Sequence, residues 1–286
     1  MIREAIQLAV DREDLSKEMA HAVMEEIMTG TATPSQMASF ITAVRMKGET
    51  KDELLGFALS MRERARRVSA PENAVDLCGT GGDGAKTFNI STAASFVVAA
   101  NDVPVAKHGN RAISSSSGSA DVLSALGIPV DLEPGDVETC LSSTGVGFMF
   151  APGFHQSMRN VMVARREIGI RTFFNILGPL LNPARVKRQL VGVYDPSMAP
   201  VIAEVLRELG TEHAMIVHGE GMDEITNLGC TRVVELDAGS TRSYEIAPED
   251  FGISHATAKD LSGGSAVDNA RTMLSVLKGE RSPRSD

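Results

Sequence analysis

An α/β fold, with a mostly parallel sheet flanked by helices and a small all-helical N-terminal domain, is what this 286-residue sequence predicts. Two observations carry that expectation. Apolar residues recur at helical spacing behind capping residues in the first ~70 positions, a boundary with the usual sequence-reading error. From Val75 onward, short β-branched runs alternate with helix-like stretches. A third observation says where a ligand would bind. The first two runs each empty into a loop of Gly, Asn, Ser, Lys and Asp that feeds a helix, as suits the carboxyl ends of parallel strands.

In the N-terminal part, residues 1–10 are amphipathic enough for a short helix. Ser16 caps a second helix with Ala20, Val23, Met24 and Ile27 on one face, stopped at Gly30. Thr33-Pro34-Ser35-Gln36 is a capping box with Pro at the first helical position, followed by Met37, Phe40, Ile41 and Val44. Thr50-Lys51-Asp52-Glu53 is a second box, leading to Leu54, Leu55, Ala58 and Met61. Connections this short make antiparallel neighbours. The apolar stripes read either as core or as a subunit contact, and no residue here carries chemistry.

Strands are then expected at 75–77, 103–106, 146–150, 190–194, 214–217 and 231–236, with helices at 91–100, 120–126 and 200–209. Such alternation implies a largely parallel sheet covered on both faces. Asp237-Ala238-Gly239-Ser240 reads as a hairpin turn, making one edge antiparallel. There is no internal repeat, and no low-complexity tract beyond the run of serines.

Composition excludes several classes. A net charge of −9 argues against general nucleic-acid binding. The absence of Trp and the presence of only two Tyr argue against base-stacking platforms. No apolar run approaches a membrane span, and the N-terminus lacks a secretory pattern. Cys78, Cys140 and Cys230 are odd in number and far apart, so neither a disulfide framework nor a zinc spacing follows and a reduced, cytoplasmic setting is expected.

The candidate chemistry lies in three stretches. Gly79 to Gly84 has glycines close enough for backbone N–H groups to approach phosphate, unless it is only a tight turn; Asp83 sits among them. Lys107-His108-Gly109-Asn110-Arg111 supplies mobile positive charge after a strand, and Ser114 to Ser117 with Ser119 offer hydroxyl donors at the next helix. Asn89, Ser91 and Thr92, at a helix start, read as caps, as phosphate ligands, or as both. Asp223-Glu224, after the strand at 214–217, reads in isolation as solvated loop charge, or as two hard oxygen donors for Mg2+. Arg165 and Arg166 read as a solvated helix face.

GTGGDGAKTFNIST from Gly79, followed closely by KHGNRAISSSSGSADVL from Lys107, resembles the anthranilate phosphoribosyltransferase family. The likeness covers nearly the whole chain, and the joint motif is far more specific than a lone Gly-rich loop. It implies a nucleoside phosphorylase/phosphoribosyltransferase-like fold and a transferase of tryptophan biosynthesis. Such an enzyme joins anthranilate to the ribose of 5-phosphoribosyl 1-diphosphate (PRPP) with Mg2+.

By resemblance, PRPP contacts fall on Gly79, Gly82, Asp83, Thr87, Asn89, Ile90, Ser91 and Thr92 in the first motif. In the second they fall on Lys107, His108, Gly109, Asn110, Arg111, Ala112, Ile113, Ser114, Ser115 and Ser119. Anthranilate contacts fall on Gly79, Asn110 and Arg165, the last holding the carboxylate. Metal contacts fall on Ser91, Asp223 and Glu224, and Lys107 joins the two acids in stabilising the leaving group. His108 and His155 line the acceptor pocket or are structural, and no general base is evident.

Similarity continues through Phe154-His155-Gln156-Ser157-Met158, where Pro usually stands in place of Gln156, and from Arg171 to Pro183. This implies that residues 166–184 return to the helical domain (1–69), leaving 70–165 and 185–286 as the α/β domain with a hinge between them. It also implies a homodimer through the helical domain, and a possible association with anthranilate synthase is carried with it. The match stops at Gly279, where the family continues into a further apolar helical segment. Uncovered apolar surface and reduced thermal stability are the expectation there. The rival readings are a pyrimidine nucleoside phosphorylase, a non-catalytic nucleic-acid-binding protein on the same fold, and an inactive structural remnant.

Overall fold

The structure is a computed structural model and describes residues 1–112 and 117–286. Helices α1 (Ile2–Val10), α2 (Lys17–Met28), α3 (Pro34–Lys47) and α4 (Lys51–Arg64) form the N-terminal layer. The Ser16 hydroxyl accepts the Met19 N–H, and both capping boxes close reciprocally, Thr33 with Gln36 and Thr50 with Glu53. The four apolar stripes read from the sequence are buried in one cluster, so they are core. Glu53 is fully buried yet satisfied: it accepts the N–H groups of Leu15 at 3.0 Å and Thr50 at 2.9 Å, and pairs with Lys47 at 3.0 Å.

The second part alternates. It runs β1 (Val75–Gly79), α5 (Ile90–Ala99), β2 (Val105–Gly109), α6 (Ser119–Ala125), α7 (Pro134–Thr144), β3 (Val146–Phe150) and α8 (Ala151–Phe154). After α9 (Arg159–Ile168) and α10 (Phe174–Leu177) come β4 (Arg188–Gly192), α11 (Ala199–Glu208), β5 (His213–Gly219), β6 (Thr231–Asp237), β7 (Ser240–Ile246) and α12 (Ala266–Leu277). The seven strands lie in the order β3-β2-β1-β4-β5-β6-β7. Pairing is parallel from β3 to β5 and antiparallel from β5 to β7. Ala238 and Gly239, both at positive φ, turn the final hairpin. Strand order reverses between β1 and β4, the switch point where an open α/β sheet leaves a crevice at its carboxyl edge.

Two departures from the sequence reading matter. Lys107 and His108 belong to β2, paired with Phe148 and Met149 of β3, and are buried within the sheet, not in a loop after it. Helix α7 was hidden because Pro134-Gly135-Asp136 reads as a turn; here Pro134 opens the helix and the Asp136 carboxylate accepts the Glu133 N–H at 3.3 Å.

The segment between α9 and β4 lies against the N-terminal layer. Phe173, Phe174, Ile176, Leu177, Leu180 and Leu181 share its core. The Phe173 ring stacks on Phe57 at 4.5 Å and meets Phe40 edge-on at 6.2 Å. Phe173→Ala leaves a fully enclosed void at this junction and is expected to cost about 3–5 kcal/mol of stability. Urea unfolding checks this; a loss below about 1 kcal/mol would mean that the junction collapses around the gap.

Helix α12 is capped by Ser265. Beside it lies a cavity of about 290 Å³ lined by Phe88, Val97, Ile225, Phe251 and Val276, with Pro283 to Asp286 also at its wall. Phe251 is 63% exposed and Val267 52%. Among the described residues, no helix is long and apolar enough to cross a membrane.

Candidate active site

The crevice at the β1/β4 switch point is built around two glycines. Gly79 and Gly192 end those strands and are register partners. A Cβ on Gly79 would stand 2.4 Å from Oδ2 of Asp223, and one on Gly192 would stand 1.6 Å from the Asp223 carbonyl oxygen. Their bare backbones therefore form a slot for the loop that follows β5. That loop folds tightly: Gly219 and Met222 exchange N–H···O bonds of 3.0 and 2.9 Å, with Glu220 and Gly221 at positive φ. Asp223 is thereby brought back across the ends of β4 and β1.

Two N–H groups meet the acids there. Gly81 donates to Asp223 Oδ2 at 2.7 Å, and Ser91, in the first turn of α5, donates to Glu224 Oε1 at 3.3 Å. The Gly-rich turn and the helix start thus converge on one pair of carboxylates. Burial, then the neighbouring Asp223 charge, pushes Glu224 up to about 8. Burial, then Asp83, pushes Asp223 up to about 6. Beneath them the Lys107 ammonium donates to the Leu77 carbonyl and, at 3.2 Å, to Ser91 Oγ. Burial pushes Lys107 down, against the pull of Asp76 and the acid pair.

Asn89 precedes α5 without capping it. Its Nδ2 donates to the Ser117 carbonyl at 3.1 Å, and its Oδ1 accepts from Asn269 Nδ2 at 3.0 Å. The Thr92 hydroxyl is buried without a partner among the described residues. Asp83 Oδ1 turns back to the Ala85 N–H at 3.1 Å, and Thr87 bridges to Ser262. Ile90 opens α5.

After β2, the Asp121 carboxylate gathers the loop. It accepts the N–H groups of Ala112 and Gly118, both at 2.9 Å, and pairs with Arg111 at 3.0 Å. Asn110 bonds the Arg111 N–H through Oδ1 and the Ala120 N–H through its carbonyl, which seats the loop on α6 near Gly109 and Ser119. Ile113, Ser114 and Ser115 lie outside the described residues.

Arg165, near the end of α9, lays its guanidinium over the Phe174 ring at 4.8 Å, and burial lowers its pKa. Among the described residues no carboxylate pairs with it, and no hydrogen bond joins it to Gly79 or Asn110. The His108 and His155 rings meet at a 60° tilt with centroids 5.1 Å apart, and they face carbonyls of the returning segment, Gly178 at 3.3 Å and Leu181 at 3.0 Å. Burial pushes them down to about 3 and about 4, so both are neutral pins between segments at physiological pH.

Sequence reading missed Gly192, Asp121 and the buried Asp76–Asn182 bond of 2.8 Å that ties the returning segment to β1. Only Asp121 had a local signal: it follows Gly118 by three residues, as the far member of a capping box does. Among the described residues no three His, Cys, Asp or Glu side chains form a metal cage. Two adjacent carboxylates with raised pKa values nevertheless suit a hard divalent cation that completes its shell with water or phosphate oxygens.

The sequence matches the glycosyl transferase family, helical bundle domain, over residues 3–65, and the glycosyl transferase family, a/b domain, over 71–286. It is 52% identical over 288 residues to the anthranilate phosphoribosyltransferase of Moorella thermoacetica, covering 100% of this chain and 85% of that one. The crystal structure of anthranilate phosphoribosyltransferase from Thermus thermophilus superposes with a TM-score of 0.92 at 42% identity, over 98% of this chain and 84% of that one. The Saccharomyces cerevisiae enzyme in complex with PRPP and Mg gives 0.88 at 27% identity, over 98% and 82%. The same yeast enzyme has been solved with 4-fluoroanthranilate. The chain belongs to the anthranilate phosphoribosyltransferase family.

Proposed function

We propose that this protein transfers the phosphoribosyl group of PRPP to the amine of anthranilate, giving N-(5-phosphoribosyl)anthranilate and diphosphate in tryptophan biosynthesis. The observation that carries the reading is the Asp223-Glu224 pair, seated at the switch point against the N–H groups of Gly81 and Ser91. The yeast relative's complexes with PRPP and Mg and with 4-fluoroanthranilate support the substrate assignment.

The ribose carbon becomes electron-poor as its bond to diphosphate breaks, and the anthranilate nitrogen lone pair forms the new bond. The amine then gives its extra proton to solvent. The turn from Gly79 to Asp83, the α5 start at Asn89 to Thr92, and Lys107 hold the donor; Arg165 presents its guanidinium to the anthranilate carboxylate beside Asn110 and Gly79. Asp223 and Glu224, with Ser91, would hold Mg2+, which supplies charge neutralisation for the departing diphosphate when bound. A homodimer through the helical domain and a cytoplasmic setting belong to the same proposal. The phosphorylase and nucleic-acid-binding readings are set aside, because the acid pair and the full-length similarity favour the transferase.

Loss of anthranilate fluorescence, dependent on both PRPP and Mg2+, is the expected result with purified protein. A silent assay with both present would sink the reading. The acid pair adds a pH signature. Carboxyls whose folded pKa exceeds the ordinary values of 3.8 and 4.5 bind protons more tightly folded than unfolded. Without metal, their contribution to stability therefore falls as pH rises from the ordinary carboxylate range through about 8. Mg2+ must displace those protons, so its apparent affinity rises across the same window. The melting-temperature gain on adding Mg2+ is expected to be larger above about pH 8 than near pH 6. An equal gain at both would remove the acids as its seat.

A further inference from the structure

We infer that Arg171 binds the diphosphate end of the sugar donor, an inference that rests on the phosphoribosyl-transfer reading above. Gly169, at φ 65°, ends α9, and two residues later Arg171 reaches from the crossing segment onto the Gly-rich turn. Its Cζ, Nε and Nη2 stand 3.2, 3.3 and 3.4 Å from the place a Cβ would occupy on Gly82. Three nearly equal distances put the flat face of the guanidinium, not its edge, against Gly82. Its Cζ also lies 5.0 Å from the centroid of the Tyr194 ring. Tyr194 is tied to the same turn, donating its N–H to Thr80 Oγ1 at 3.1 Å. Face contacts of this kind orient a guanidinium while leaving its five N–H donors free in the plane.

Those donors find no acceptor among the described residues, and the side chain is exposed. Asp83, next to Gly82, turns to the Ala85 N–H, and Asp223 takes the Gly81 N–H. Of the other cations of the two motifs, Arg111 is paired with Asp121, Lys107 is buried against Leu77 and Ser91, and Lys86 is exposed four residues beyond Gly82. An oriented, unpaired fork beside a Gly-rich turn matches the oxygens of a phosphate group. The diphosphate is the fitting end of the donor, because Gly82 adjoins Asp83 and the acid pair proposed for the divalent cation.

The test compares the parent chain with Arg171→Gln and Arg171→Lys in steady-state kinetics, with inorganic diphosphate and ribose 5-phosphate as inhibitors. Arg171→Gln is expected to raise both the KM for PRPP and the Ki of diphosphate about tenfold or more. The KM for anthranilate and the Ki of ribose 5-phosphate should stay within about twofold, since neither group meets this side chain in the proposed arrangement. Arg171→Lys, which keeps the charge without the fork, should recover only part of the loss. An unchanged diphosphate Ki overturns the inference, as does a loss shared equally by anthranilate or ribose 5-phosphate. Calorimetric titration with diphosphate and Mg2+, below the melting temperature of each variant, reads the same shift without turnover. A parent that binds diphosphate but consumes no anthranilate would defeat the functional reading, whereas equal titrations for parent and Arg171→Gln would defeat this one.

Discussion

Asp223→Asn combined with Glu224→Gln is expected to lower phosphoribosyl transfer by about 10³-fold or more while leaving the protein folded. Both changes are isosteric, and each amide keeps an oxygen able to accept the N–H bond now made by Gly81 or Ser91. What disappears is the negative charge of two carboxylates held out of water. Because burial raises both pKa values, followed by Asp83 for Asp223 and by Asp223 for Glu224, neutralising the pair should hold or raise the melting temperature near pH 8 in the absence of metal. Activity and stability are thus expected to move apart, which unfolding does not produce. Near-normal turnover in saturating Mg2+ would defeat the assignment of the two acids. A fall in melting temperature matching the activity loss would instead make them structural.

How much of this was legible in the sequence depends on the range of the interaction. The boxes at Thr33–Gln36 and Thr50–Glu53 are complete within four residues, so spacing alone announces them. The Gly-rich turn and the helix after it are nearly as local. Asp223-Glu224 is different, for in isolation the pair reads as solvated charge. Its N–H partners are 142 and 133 residues away, and only the sheet order brings them together. Lys107 and His108 read as part of a mobile loop because Gly109 and Asn110 follow them at once. Pairing with β3 extends the strand through both and buries them. The Asp76–Asn182 bond joins residues 106 apart, and no local pattern marks either member. Local pattern thus marked the Gly-rich turn and the helix start, family resemblance named the acid pair and Arg165, and tertiary pairing decided which groups were buried or paired.

The glycine slot gives the second large effect. Gly192→Ala is expected to lower turnover by about 10²-fold and to cost about 1–3 kcal/mol of stability. The new methyl group would overlap the Asp223 carbonyl at 1.6 Å, and that neighbour is backbone, so no rotamer change relieves it. Strand β4 cannot retreat, since it is hydrogen-bonded to β1 on one side and β5 on the other. The loop holding Asp223 and Glu224 must move instead, breaking its bonds to Gly81 and Ser91. Gly79→Ala offers the contrast, because its methyl group collides with the Asp223 carboxylate, the movable end of a side chain. It should impair turnover through the displaced acid while costing less stability than Gly192→Ala. Gly135→Ala, at a glycine with open space around it and no positive φ, serves as the neutral control. Kinetics and urea unfolding of the three variants decide the matter: if Gly192→Ala turns over like the parent, the paired strand ends are not what seats Asp223.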